Sequence, residues 1–312
     1  MDRFGTAWPA LPFLASRRMQ IRIANAPTSW GVEDPQDGAN PPWERLLADI
    51  SGAGYAGTEL GPLGYLPDDP ALLRREVAEH GLELVGGYVF EPLHTREGGA
   101  RALEIARSTC ELLAPAGARY LVIIPGFTPD REGAAGRQEA TEPLSQAEWE
   151  TLVENVEELA LLASEDHGLV GVFHPHAGTH VEFENEIERL AADTDVPLCI
   201  DTGHCAYAGI DPIALCRRHG DRVAYLHLKD VDPNRLRQSL ARELSFEEAV
   251  AERVFCPLGE GLVDFAALAR ALGERDFHGW TTVEQDRLPT DSTAPAEHAA
   301  ASLAHLHAAG LA

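Results

Sequence analysis

Four apolar runs in the second half of the chain turn polar at their C-terminal tips, and each tip carries a residue able to bind a metal. GVFHPH ends in His174 and His176, LCIDTGH in Asp201 and His204, YLHLKD contains His227, and TTVEQD contains Glu284. Short continuous runs of Val, Ile, Leu and aromatic residues read as strands buried on both faces. If these strands lie parallel and side by side, their C-terminal ends meet, and an Asp, a Glu and one or two His side chains surround a divalent cation. One such ending is ordinary, since a lone buried His bonds to backbone and an Asp before Thr-Gly caps a helix. Four in succession describe a site.

The rest of the chain alternates strand and helix. IRIANAP (Ile21 to Pro27), GTEL (Gly57 to Leu60), LELVGGYVF (Leu82 to Phe90) and RYLVIIPG supply four earlier strands. Helical patterns follow near Trp43, from Asp69 to His80, from Gly99 to Ala114, and after Ser145, whose Glu148 three residues on makes a capping-box spacing. Later helices are expected near Glu184 to Ala192, Asp211 to His219, in DFAALARALGERDF and in the last segment. The stretch Phe127 to Pro143 reads as an active-site loop, and Asn234 to Arg253 as a helical insertion followed by the turn PLGEG. Eight strand-helix units without a break in composition predict a single-domain α/β protein, a (β/α)8 TIM barrel over residues 20–312, with residues 1–19 as an N-terminal extension.

Composition narrows the partners. Of 312 residues, 25 are Lys or Arg and 50 are Asp or Glu, a formal net charge of -25 that repels nucleic-acid backbones and anionic membrane surfaces. No apolar stretch reaches the roughly 20 residues needed to span a bilayer. The five Cys show no CxxC spacing and read as reduced thiols of a cytoplasmic protein, with Cys205 and Cys256 near the site.

DTGH, HLKD, PLGEG and VEQD, in that order after a strand ending in two His, resemble the xylose isomerase-like barrel superfamily of sugar isomerases, ketose epimerases, inosose dehydratases and endonuclease IV-type repair enzymes. The strings NAPTSWGVE, GTELGPLGYLP, LVGGYVF and FHPHAGT are most similar to the inosose dehydratase branch. The resemblance implies one divalent metal held by Asp201, His227 and Glu284. His174 stands at the position of a family Glu and His176 at that of a family His; the fourth ligand is assigned to His174, with His176 or Glu182 left open in its place. Imidazole in place of carboxylate favours Mn2+ or Co2+, with Zn2+ also allowed, over Mg2+. The further His and Asp ligands of the endonucleases are absent: Ile124 and the segment Arg253, Val254, Phe255 stand in their places.

The implied reaction is loss of water from a keto-inositol by enolate formation and β-elimination, catalysed by a metal-dependent lyase. The alternative is a sugar isomerase or ketose epimerase using a metal-bound enediolate. Proton transfer is assigned to His176, His204, Lys229 and Glu260, and substrate binding to Trp30, Glu59 and Arg287, with Glu59 also an acid-base candidate. The expected partner is a small keto polyol or sugar, with homo-oligomer formation left open.

Overall fold

The computed structural model describes residues 20–291 and 293–311, so the expected extension at 1–19 lies outside the described residues. One parallel sheet contains nine strand segments, of which two are halves of a single strand interrupted at Val85. In chain order the strands are β1 (Gln20–Asn25), β2 (Gly57–Thr58), β3 (Glu83–Leu84 continued by Gly86–Glu91), β4 (Tyr120–Pro125), β5 (Val170–Phe173), β6 (Leu198–Asp201), β7 (Val223–Leu228) and β8 (His278–Val283). The first half of β3 pairs with β2 and the second with β4. With β1 on β8, the ring therefore closes through β3. Each strand is followed by an outer helix: α1 (Trp43–Gly52), α2 (Pro70–Glu79), α3 (Arg96–Ala116), α4 (Gln146–Leu161), α5 (Glu184–Asp193), α6 (Pro212–Arg218), α7 (Phe265–Glu274) and α8 (Pro295–Ala309). This is the (β/α)8 barrel expected from the sequence.

Strand alternation sorts the core into two shells. Tyr120, Val122, Val172, Cys199, Tyr225 and Trp280 fill the barrel, while Leu121, Ile123, Phe173, Ile200, Leu226 and Val283 pack outward with the helices. Two residues beyond Val172, Cys199, Tyr225 and Thr282 come His174, Asp201, His227 and Glu284. The two-residue period of a strand therefore turns all four toward the barrel axis. The apolar interior stops where these polar ends begin, with Tyr120 stacked on Tyr225 at 4.4 Å.

Two segments differ from expectation. Phe127 to Pro143 is built around short helical turns at Pro129–Glu132 and Gln138–Ala140. Arg131, 1% exposed, ties it down through a bidentate bond to Glu186 at 2.9 Å. The insertion forms two helices, Pro233–Ala241 and Phe246–Ala251, because Glu243 turns to φ 54° and Ser245 starts a new capping box. The capping box read at Ser145 and Glu148 is present, both reciprocal bonds included.

Candidate metal centre

Ligand atoms of His174, Asp201, His227 and Glu284 all lie within 4.8 Å of one another at the C-terminal mouth of the barrel. Their orientation is set by local bonds. Asp201 caps the short helix Thr202–Tyr207 with one oxygen, Oδ1 accepting from the N–H of Gly203 at 2.7 Å and of His204 at 2.9 Å. Its other oxygen, Oδ2, is buried with no hydrogen-bond partner. The cap reading and the ligand reading of DTGH thus describe different atoms of one side chain.

The imidazoles are held the same way. His174 donates from Nδ1 to the Pro175 carbonyl at 2.8 Å, which leaves the Nε2 lone pair 3.8 Å from Asp201 Oδ2. His227 donates from Nε2 to Glu59 Oε1 at 3.0 Å, which leaves Nδ1 buried without a hydrogen-bond partner, 3.9 Å from Asp201 Oδ2 and 3.0 Å from Glu284 Oε2. Tyr225 donates its hydroxyl to the same Glu59 oxygen at 2.6 Å. Such outer bonds fix which nitrogen faces a metal.

Two nitrogens and two carboxylates converge, two of their atoms buried and orphaned. This set fits a divalent cation of borderline softness. The charge balance agrees: Glu59, Asp201, Glu284 and Asp286 face one ammonium, Lys229, whose Nζ lies 3.3 Å from Asp201 Oδ2, 3.3 Å from Glu284 Oε2 and 2.6 Å from Asp286 Oδ1. Burial opposes the charge on Lys229, but Asp201, Asp286 and Glu284 outweigh it and raise its pKa. Burial likewise opposes ionisation of Glu284, yet Lys229 and His227 hold it well below the usual carboxylate range. Asp286 is pushed up to about 7 by burial, against the pull of Lys229.

The ring of His176, which lines the cavity, lies 3.8 Å from that of His204, which does not. Burial and His174 lower His176 to about 3; burial, His176 and Lys229 take His204 well below its ordinary value. Both are neutral at neutral pH. His176 donates from Nδ1 to the Ala177 carbonyl at 2.7 Å, so its Nε2 carries a lone pair, and Lys229 Nζ donates to His204 Nε2 at 2.9 Å. Gly203 makes room for this pair, since a Cβ there would lie 2.4 Å from the Lys229 side chain.

His174, His227, Glu284, Lys229 and His176 line a 510 Å³ cavity, whereas Asp201 and His204 pack against them outside its lining. Its lining combines aromatic residues, Tyr88, Phe90, Phe127 and Phe246, with acidic ones, Glu33, Asp34, Asp37 and Glu247. Arg287, Lys229, Glu59 and His176 line it as expected from the sequence.

Other expectations need correction. Glu260 is exposed and lines a separate 210 Å³ pocket beside the mouth. The reason is Asp230, whose Oδ2 accepts from the N–H of Gly259 and Gly261 and whose Oδ1 accepts from Val263, folding the PLGEG turn inward by its backbone and Glu260 outward. Trp30, 5% exposed, packs in the main apolar core and is not part of the cavity wall. Glu182 spends its oxygens on the N–H of Gly136 and Gly178 and stays outside the cluster. Glu59 contacts His227, so its first role is orientation. Burial raises the Cys205 thiol well above its ordinary value and Cys256 to about 12, so neither is a thiolate at neutral pH. Sequence reasoning missed Asp286, Tyr88 and Glu33, although Asp286 and Glu33 end the strings VEQD and NAPTSWGVE.

The orienting role of Glu59 has a measurable consequence. Glu59→Gln should weaken metal binding about 10- to 100-fold, because an outer partner that fixes a ligand imidazole typically carries that much affinity. Metal titration by calorimetry checks it, and an unchanged affinity would show that His227 needs no such partner.

Comparison with known proteins follows the same lines. The xylose isomerase-like TIM barrel family profile matches residues 47–308. The rhizopine catabolism protein MocC of Rhizobium meliloti is 36% identical over 284 residues, covering 90% of this chain and 86% of that protein. An inosose dehydratase of Geobacillus kaustophilus is 34% identical over 275 residues, covering 86% and 88%. The solved structure of the IOLI protein with a bound zinc atom shares the fold, with a TM-score of 0.68 at 15% identity over 92% of this chain and 97% of that one. The chain belongs to the xylose isomerase-like TIM barrel family, on the side of it that contains the inosose dehydratases.

Proposed function

We propose that this protein removes water from a keto-inositol, with a divalent cation, Mn2+ or Co2+ before Zn2+ or Mg2+, held by His174, Asp201, His227 and Glu284. The observation that carries this reading is that His176 and Lys229 line one cavity together with His174, His227 and Glu284, with Asp201 and His204 packed directly against them. When bound, the cation supplies a Lewis acid that stabilises negative charge on the ketone oxygen. His176, neutral and with its Nε2 lone pair free, accepts the α-proton. Lys229, fixed as an ammonium by its carboxylates and hydrogen-bonded to His204, stabilises charge that develops on substrate oxygen.

Cavity electrostatics support an uncharged substrate. Asp34, Asp37, Glu59, Glu247 and Glu284 line it against, among the described residues, Lys229 and Arg287, so a sugar phosphate or keto acid would meet like charge. The aromatic lining suits the face of a carbon ring, and the volume lies within the usual range of small-molecule sites, about 300–1,000 Å³. The same reading places the enzyme in the cytoplasm, in keeping with its five free cysteines and with the lack, among the described residues, of a helix long and apolar enough to cross a membrane.

The test is product chemistry. Manganese-loaded protein incubated with a keto-inositol in deuterated water should release a product lighter by one water that absorbs in the ultraviolet as an enol or dione. Return of an isomer of unchanged composition, labelled or not, would instead establish the isomerase or epimerase alternative.

A further inference from the structure

Elimination needs two proton transfers, and the groups assigned so far stand on one side. His176 follows β5, His204 follows β6 and Lys229 follows β7. In the strand order of the ring, β5 lies diametrically across from β1. The loop after β1 forms the facing wall of the cavity, where Thr28, Gly31 and Glu33 stand with Tyr88 of β3. Three carboxyls of this loop line the cavity, Glu33, Asp34 and Asp37; Glu33 follows the anchored turn directly and interacts with Asp286, Glu284 and Lys229.

The loop that carries Glu33 is fixed to the strand end that carries Glu284. Ala26 donates its N–H to the Val283 carbonyl at 3.1 Å, and Ser29 Oγ accepts the N–H of Gln285 at 3.1 Å. Gly31 turns at φ 78° so close to Pro289 that a Cβ would lie 2.6 Å from its Cα. Trp30 anchors the turn Pro27–Trp30 in the core. Ala26, Ser29, Trp30 and Gly31 of the string NAPTSWGVE thus form a bracket that carries Glu33 in the cavity lining.

Resting on the dehydratase reading, we propose that Glu33 is the proton donor to the departing β-hydroxyl. Enclosure in the cavity wall, with Asp286 and Glu284 nearby, raises its carboxyl, opposed by Lys229 and the Thr28 hydroxyl. Glu33 keeps an exposed surface, and this solvent access reduces the shift. In the elimination the α C–H bond breaks and its proton passes to His176. Its electron pair is first held in the enolate, which can be reprotonated at the α-carbon, and then forms the carbon–carbon double bond as the β C–O bond breaks; the oxygen leaves with that bond's pair and the Glu33 proton as water. Glu33 ends as carboxylate and His176 as imidazolium, and solvent restores both.

The experiment compares Glu33→Gln and Glu33→Asp with wild type, all manganese-loaded, with keto-inositol in deuterated water, scoring both water loss and deuterium at the α-carbon of recovered substrate. Glu33→Gln should lose about 10²- to 10⁴-fold in dehydration. It should still wash deuterium into the α-position and bind manganese as wild type does, while Glu33→Asp should recover part of the rate. Dehydration within tenfold of wild type in Glu33→Gln, or loss of exchange together with dehydration, overturns the assignment. Wild-type protein that exchanges the α-proton but never releases water would instead sink the dehydratase reading itself, and this role with it.

Discussion

Asp201→Ala is expected to abolish metal binding and to lower kcat/KM at least about a thousandfold, since Lewis-acid stabilisation of an enolate is worth several kcal/mol and each 1.36 kcal/mol is a factor of ten. The barrel should stay folded. Loss of the two cap bonds to Gly203 and His204 costs about 0.5–2 kcal/mol, against a core in which each buried Leu or Ile contributes roughly 1.5–3 kcal/mol. Asp201→Asn separates the two roles of the side chain, because its amide oxygen can keep the cap while the ligand position receives a neutral group. Metal content by mass spectrometry should fall in both variants, with thermal stability reduced only in Asp201→Ala. Metal-free protein, or either variant, at full activity would rule out this centre.

The ligand set was legible because a strand displays its side chains with period two and the barrel gathers strand ends. An inward residue at Val172, Cys199, Tyr225 or Thr282 therefore forces its second neighbour, His174, Asp201, His227 or Glu284, onto the same axis. That rule also separates His174 from His176: both follow β5, but only His174 reaches the cluster before the chain leaves the barrel. Motif likeness was less reliable wherever it named a residue whose backbone does the work. PLGEG suggested Glu260, whereas the turn exists to offer the N–H groups of Gly259 and Gly261 to Asp230, the last residue of HLKD. Trp30 drew attention as a ring face, but the loop needed it as an anchor. Glu33 and Asp286 were hidden for a different reason. A charged residue in a Gly- and Pro-rich loop has no periodic signal, and only the contacts between the β1 and β8 loops put it in the cavity.

Lys229→Met should destabilise the metal-free protein and enlarge its response to metal. Lys229 is 1% exposed and within 3.3 Å of carboxylate oxygens of Asp201, Glu284 and Asp286, so its removal leaves three buried carboxylates without their cation. Breaking a buried ionic cluster by deleting one partner typically costs about 3–5 kcal/mol, and metal-free Lys229→Met should be destabilised by that order. A divalent cation restores more than the missing charge, and it no longer shares Asp201 Oδ2 and Glu284 Oε2 with an ammonium. Metal saturation should therefore raise the melting temperature of Lys229→Met by more than that of wild type, with metal affinity at least as high. Activity should fall about 10²- to 10⁴-fold even in the loaded variant, because the charge that Lys229 directs at substrate oxygen is gone. Calorimetric melting with and without manganese, followed by turnover of the loaded protein, reads all three effects. A metal-induced shift in Lys229→Met no larger than in wild type would show that Lys229 and the cation do not draw on the same carboxylates.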